Sequence, residues 1–412
     1  MTEVTAEIDA IIGRARKAQQ AYETNGNQKL FDSAAKAAAW ALMEPSRNSE
    51  LSALAVAETG LGNVDDKITK NHRKTLGLLR DINGKTSYGM INDDAKSGIS
   101  EFLRPKGVIA AVVPSTNPLA TPINNVVNAL KTGNAIILAP SPKGAAPLAK
   151  LLEYIYAEFN RIGLDHDLVQ IVPNPPSKEK TARLMQGVDM LVVTGSQSNV
   201  RSAYSSGTPA LGVGMGNVVT IIDETANLDD AAQKISRSKC FDNATSCSSE
   251  NAVIVVDSVY DAFLQSITQA GGMILDTTQT NHLIKTHWND GHLNRNMLAK
   301  DIDAVLATLA FTDIAPEGTK FLVAPATSIG PAFVSTRTIL TFTPLRHLPV
   351  LRSHQPKTPA CHALLAMGPG ADNLVDGSQL RAAPSPGSYT DPLEGHRAYR
   401  SRHCSQVRTR DT

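Results

Sequence analysis

The feature that most constrains this chain is a series of short runs that are apolar almost without interruption. They are "GVIAAVVP" (107–114), "NAIILAP" (134–140), "LVQIVP" (168–173), "DMLVVTG" (189–195), "NVVTIID" (217–223) and "NAVIVV" (251–256). A strand with one face in water alternates polar and apolar residues, whereas a strand covered on both faces does not. Helical stretches such as "PINNVVNALKTG" and "AAPLAKLLEYIYAEFNRIG" lie between most of the runs, the second ending at a glycine suited to a C-cap. Buried strands alternating with helices predict an α/β fold with a parallel, doubly wound sheet and right-handed crossovers. Residues 3 to about 60 read as helices, with Ile8, Ile11, Ile12, Ala15 and Ala18 at three- and four-residue spacing.

At 412 residues the chain exceeds a single typical core, so two domains are expected. The boundary is placed near 225–230, where "DETANLDD" interrupts the pattern and a second set of elements follows, including "KFLVAPA". No segment of 20–50 residues repeats, which excludes a solenoid. A net charge of +1 with 19% charged residues gives no field that argues for nucleic acid. No run is long and apolar enough for a membrane span, and the N-terminus has no signal-peptide core. Four cysteines are too few for a disulfide framework and show no paired metal spacing, which points to a reducing cytoplasm and no metal site. The sequon at Asn243 carries no weight without a secretory signal.

The end of the chain uses a different vocabulary. Residues 1–330 contain 19 Lys and 11 Arg, whereas 331–412 contain 1 Lys, 9 Arg, 5 of the 10 His and a single Ile. Segments such as "RHLPVLRSHQPKTPACH" show neither strand nor helix periodicity. Two readings of 331–412 stand: a disordered extension, or a shifted reading frame.

Several stretches could carry chemistry. Cys247, in "FDNATSCSSE", precedes a strand among small polar residues, where backbone N–H groups and partial exposure favour a thiolate. Cys240 sits where a helix would pack and reads as structural. "PSTNP" (114–118) follows the first apolar run; its Asn117, held between prolines, either makes a turn or donates to an oxyanion. In "VVTGSQSNV" a strand leads through Thr194, Gly195 and Ser196 into a helix, a way of offering N–H groups to phosphate that also occurs without a ligand. "ALGVGMGN" places Gly212, Gly214 and Gly216 before a buried strand, either for close backbone approach or as a plain turn.

Taken together, "PSTNP", "VVTGS", "AYSSGTPALGVGMGN" and "FDNATSCSSE", in this order and spacing, resemble the CoA-acylating branch of the aldehyde dehydrogenase superfamily. The resemblance covers about residues 5 to 330. It implies an NAD(P)-binding domain over 1–227, the first part of a catalytic domain over 228–330, and an atypical tail over 331–412. It also implies Cys247 as nucleophile, Asn117 as oxyanion donor, and Thr194, Gly195, Ser196, Gly214 and Gly216 beside the cofactor. The implied reaction oxidises a short aldehyde, sulfoacetaldehyde before acetaldehyde, through a cysteine thioester that coenzyme A accepts. A homo-oligomer is the expected assembly.

Hydrolytic members carry a glutamate in an "ELGG"-like turn, where this chain has "GVGMGN" and no carboxylate from Ala210 to Thr220. Without that base water is a poor acceptor, whereas a thiol can manage. Beyond the second run, "APSPKGAAP" offers Ser141 and Lys143 rather than an acid, which suits the 2′-phosphate of NADP, with NAD the other choice. After 330 the family continues with "HPFxxEKLSPVL", whose glutamate is absent from "PAFVSTRTILTFTPLRHLPV". Two further readings stay open: a hydrolytic enzyme, and an inactive homologue that binds partners, with "IIGRARKAQQAY" as a docking helix or simply a packed one.

Overall fold

A computed structural model describes residues 3–214, 218–289, 292–294, 296–325 and 339–344. It divides the chain into two units, 1–216 and 217–412.

Unit one opens with four helices, α1 (Glu3–Thr24), α2 (Gln28–Met43), α3 (Pro45–Thr59) and α4 (Val64–Ile82). Their ends follow from local chemistry. Asn27 and Asn63 accept from the N–H groups of Leu30 and Asp66, and Gly60 closes α3 at φ 63°. Buried Ala34, Ala35, Ala38 and Ala39 give α2 a smooth face toward α5 (Ala120–Lys131) and α6 (Ala145–Ile162). The amphipathic start of the chain packs on its own unit. In α1, Ile8, Ile11, Ile12, Ala15 and Ala18 are buried, and Arg16 reaches Asp189 at 3.0 Å. Asp189 in turn accepts from the Val108 N–H at 2.7 Å, holding the entrance of the first core strand.

A hairpin, β1 (Gly89–Asp94) and β2 (Ile99–Leu103), then precedes β3 (Val108–Val113), β4 (Ala135–Pro140), β5 (Val169–Ile171), β6 (Met190–Thr194) and β7 (Ala210–Val213). The last five form a parallel sheet in the order β5-β4-β3-β6-β7. Helices α7 (Lys178–Gly187) and α8 (Gln197–Tyr204) complete the crossovers together with α5 and α6. Every residue of β3 and β4 is buried, as uninterrupted apolar runs require. The expected doubly wound α/β fold is present. α6 ends at Gly163 in the left-handed region, φ 69°, which favours glycine.

Unit two holds β8 (Val218–Ile222), α9 (Leu228–Cys240), β9 (Glu250–Val255), α10 (Tyr260–Gln269), β10 (Gly272–Ile274) and α11 (Thr277–His287). A short pair, β11 (Trp288–Asn289) and β12 (His292–Leu293), precedes α12 (Ile302–Thr308), β13 (Phe321–Pro325) and β14 (Ile339–Pro344). Its sheet is parallel, in the order β10-β13-β14-β9-β8.

Two expectations change. The break falls between 216 and 217 rather than at 227, because "VVTII" pairs with β9 and so belongs to the second sheet. The atypical tail from 331 contributes a central strand: Leu340 and Phe342 pair with Val323 and Pro325 of β13, and Phe342 pairs with Val253 of β9. The rest of 345–412 lies outside the described residues.

Candidate active site

In unit one the expected ligand residues gather at one edge. The chain runs from β3 outward through β4 to β5, then returns to the other side of β3 as β6 and β7. The order reverses between β3 and β6, and ligands of such sheets sit outside the carboxyl ends of the strands at that point. Asn117 follows β3 and is 9% exposed, while Thr194 is the last residue of β6.

Ser141 follows β4 and begins the single turn Pro142–Gly144. A Cβ on Gly144 would stand 3.2 Å from Ser141 Oγ and 3.3 Å from Pro118 Cβ, so the loops after β3 and β4 lie against each other. The Ser141 hydroxyl is buried and has no hydrogen-bond partner in the protein. Lys143 is exposed and, among the described residues, enters no ion pair. After β6, the Gly195 N–H donates to Val213 O at 3.1 Å, and Ser196 caps α8 by accepting from the Asn199 N–H at 3.2 Å. Gly214 faces Gln197 so closely that a Cβ would stand 2.5 Å from its Oε1. Gly216 lies outside the described residues.

Cys247 belongs to unit two, in the connection between α9 and β9. The N–H of Ser249 donates to Ser246 O at 3.2 Å, closing a turn with Cys247 and Ser248 at its tip. Both tip residues are exposed and both flanking serines are buried. Two contacts tie the turn's downstream side to α9. Ser249 Oγ donates to Ser238 O at 3.4 Å, and the buried Lys239 ammonium donates to Asn251 Oδ1 at 3.1 Å.

Upstream, Asp242, Asn243 and Ala244 lie in the left-handed region at φ 49°, 48° and 56°. Asp and Asn tolerate this conformation, whereas alanine is strained by it. Asp242 is fully buried and its carboxylate accepts from the Thr245 hydroxyl. Sequence reasoning missed this run, whose one available signal was an Asp-Asn pair before small residues. It also missed Glu250, the first residue of β9, whose Oε2 is buried without a hydrogen-bond partner. Among the described residues no group of three or more His, Cys, Asp or Glu could hold a metal, and no helix is long and apolar enough to cross a membrane.

A doubly wound sheet of the nucleotide-binding kind, followed by an α/β unit that presents a cysteine on a turn, defines the class of this protein. Residues 2–277 match the model of the aldehyde dehydrogenase family, and the chain belongs to that family. It is 57% identical over 286 residues to the sulfoacetaldehyde dehydrogenase (acylating) of Cupriavidus necator, a match covering 69% of this chain and 58% of that protein. It is 41% identical over 314 residues to the enzyme of the same name from Bilophila wadsworthia, covering 75% of this chain and 67% of that one. The crystal structure of an acetylating aldehyde dehydrogenase from Geobacillus thermoglucosidasius superposes with a TM-score of 0.78 at 31% identity, covering 83% of this chain and 76% of that one. A Rhodopseudomonas palustris propionaldehyde dehydrogenase with bound propionyl-CoA gives a TM-score of 0.73 at 26% identity, covering 82% and 74%. The chain thus matches little more than half the length of its Cupriavidus necator relative.

Proposed function

We propose that this chain carries the machinery of a CoA-acylating aldehyde dehydrogenase, acting on a short aldehyde with NAD(P)⁺ and coenzyme A. The observation that carries the reading is Cys247, exposed at the tip of a turn whose downstream side is bonded to α9. Such a thiol is accessible to a carbonyl and held in one place. Its sulfur adds to the aldehyde carbon, and loss of hydride from that carbon leaves a thioester on Cys247. The Asn117 amide serves as donor to the oxyanion. When bound, the nicotinamide cofactor accepts the hydride.

The residues at the carboxyl edge of unit one fit such a cofactor. The orphaned Ser141 hydroxyl and the Lys143 ammonium suit a ribose and its 2′-phosphate, which favours NADP with NAD as the other choice. Thr194, Gly195, Ser196, Gly214 and Gly216 would hold the pyrophosphate side. The sulfoacetaldehyde relatives favour sulfoacetaldehyde as substrate, then acetaldehyde. We place the protein in the cytoplasm, the compartment suited to a long chain with only four cysteines. The exposed hairpin β1–β2, with Met90, Ile91, Ile99 and Phe102 in solvent, fits a contact between subunits.

Coenzyme A is the acyl acceptor because the stretch from Ala210 to Thr220 holds no carboxylate to activate water. Glu250 supports a second reading, hydrolysis: its buried oxygen without a hydrogen-bond partner would be the general base that activates water.

One assay separates the readings: NAD(P)H formation from sulfoacetaldehyde and from acetaldehyde, with and without coenzyme A. CoA-dependent turnover abolished by Cys247→Ala supports the proposal. Equal turnover without coenzyme A means hydrolysis, and no turnover means an inactive homologue. In the same assay, Lys143→Ala should raise the KM for NADP about 10-fold and leave that for NAD unchanged. A uniform change in both would remove Lys143 from cofactor selection.

A further inference from the structure

Unit two contains a cavity of about 250 Å³. Its lining includes Lys239, Cys240, Asn243, Lys300, Asp301 and Lys320, and does not include Cys247. The walls come from distant parts of the chain: the end of α9, the left-handed run after it, the approach to α12, and the residue before β13.

Lys239, Lys300 and Lys320 line this cavity together with one carboxylate. That carboxylate, on Asp301, accepts from Asn243 Nδ2 at 2.9 Å, so it is engaged at the rim. Lys239 is buried, and its hydrogen bond to Asn251 fixes the ammonium in place. A concave surface with excess positive charge concentrates small anions. Lysine and amide donors are suited to a group with several acceptor oxygens.

We propose that this cavity is a binding site for a tetrahedral oxyanion head group, sulfonate or phosphate. The inference rests on unit two alone and does not require the proposed reaction.

Cys240 supplies a built-in reporter. It lines the cavity, its Sγ stands 3.8 Å from Lys320 O, and it is partly exposed. An anionic alkylating reagent should therefore be drawn to this thiol, and a bound oxyanion should shield it.

The test compares iodoacetate with iodoacetamide on the full chain, reading each cysteine by peptide mass spectrometry. At low ionic strength the rate ratio at Cys240 should exceed that of N-acetylcysteine by about 10-fold, and it should fall as salt is added. Millimolar 2-hydroxyethanesulfonate should slow alkylation of Cys240 and leave Cys247 unchanged. Inorganic phosphate is the second arm. Protection by both establishes a general oxyanion site, and protection by one alone identifies the head group. Lys300→Gln and Lys320→Gln should each reduce the ratio, and Lys320→Arg should retain it. If a variant fails to fold, protection of the wild-type chain still decides.

A ratio equal to that of the free thiol overturns the proposal. So does a Cys240 that does not react, or one that neither anion protects. Because the readout is alkylation, a chain without dehydrogenase activity leaves this result intact.

Discussion

At the scale of single residues, the segment before Cys247 sets what the cysteine can do. Three successive residues in the left-handed region are costly, and something must hold them there. The buried Asp242 carboxylate and the Thr245 hydroxyl form one such tie. Hydrogen bonds to charged groups contribute about 2 kcal/mol, and leaving a buried carboxylate oxygen short of a donor adds to the loss. Thr245→Val should therefore lower unfolding free energy by about 2 kcal/mol and alter the alkylation rate of Cys247, while Thr245→Ser restores both. If Val and Ser variants unfold at the same denaturant concentration as the wild type, the hydroxyl is not the tie. Ser141 illustrates a different point at the same scale. Its residue type was readable as a ribose partner, but only the packing of Gly144 and Pro118 around it shows that its hydroxyl is enclosed.

At the scale of elements, α11 ends in a buried histidine. Burial pushes the His287 pKa down from 6.5 to about 4, because desolvation disfavours the charged ring. An unfolded His287 takes up its proton as pH falls through 6.5, whereas the folded one resists until about 4. Folding is therefore opposed progressively across that window, and the stability contributed above pH 6.5 is lost by about pH 4. The loss amounts to about 3 kcal/mol at most. Urea midpoints measured at pH 7 and 4.5 should differ for the wild type and differ less for His287→Phe. Equal pH dependence in the two proteins would remove His287 as the cause.

Elements also show what the sequence made legible. β3, β4 and β9 were readable because strands covered on both faces leave uninterrupted apolar runs, and β6 and β8 are such runs although several of their residues are only half-buried. β7 was hidden because "ALGV" lies within a glycine-rich stretch that reads equally as a turn. The β1–β2 hairpin was hidden because its residues are nearly all exposed, so burial left no pattern in the sequence. The identity of Cys247 as the candidate was readable, but the turn that presents it depends on contacts with Ser238 and Asn251 that no local pattern encodes.

At the scale of the whole molecule, the change of vocabulary after residue 330 remains the chief question for activity. Reading the parent DNA in the alternative frame downstream of codon 330 should recover an "EKLSPV"-like segment. If no such segment is found, the shifted-frame reading fails and the extension is genuine. The hairpin proposal is tested by sedimentation: the wild type should form a homo-oligomer, and Phe102→Glu should shift it toward monomer. A wild type that sediments as a monomer rules the contact out.

The second sheet has a consequence for synthesis. Its central strand, β14, is the last of the described strands to leave the ribosome, yet it lies between β13 and β9. β13 and β9 cannot complete their pairing until that segment arrives, so the sheet closes late and through contacts distant in sequence. The described strands of unit one all precede residue 216. Unit one can fold first, while β8 and β9 wait with one edge open. During translation, the described strands of the second sheet therefore keep an unpaired edge open for longer than those of the first.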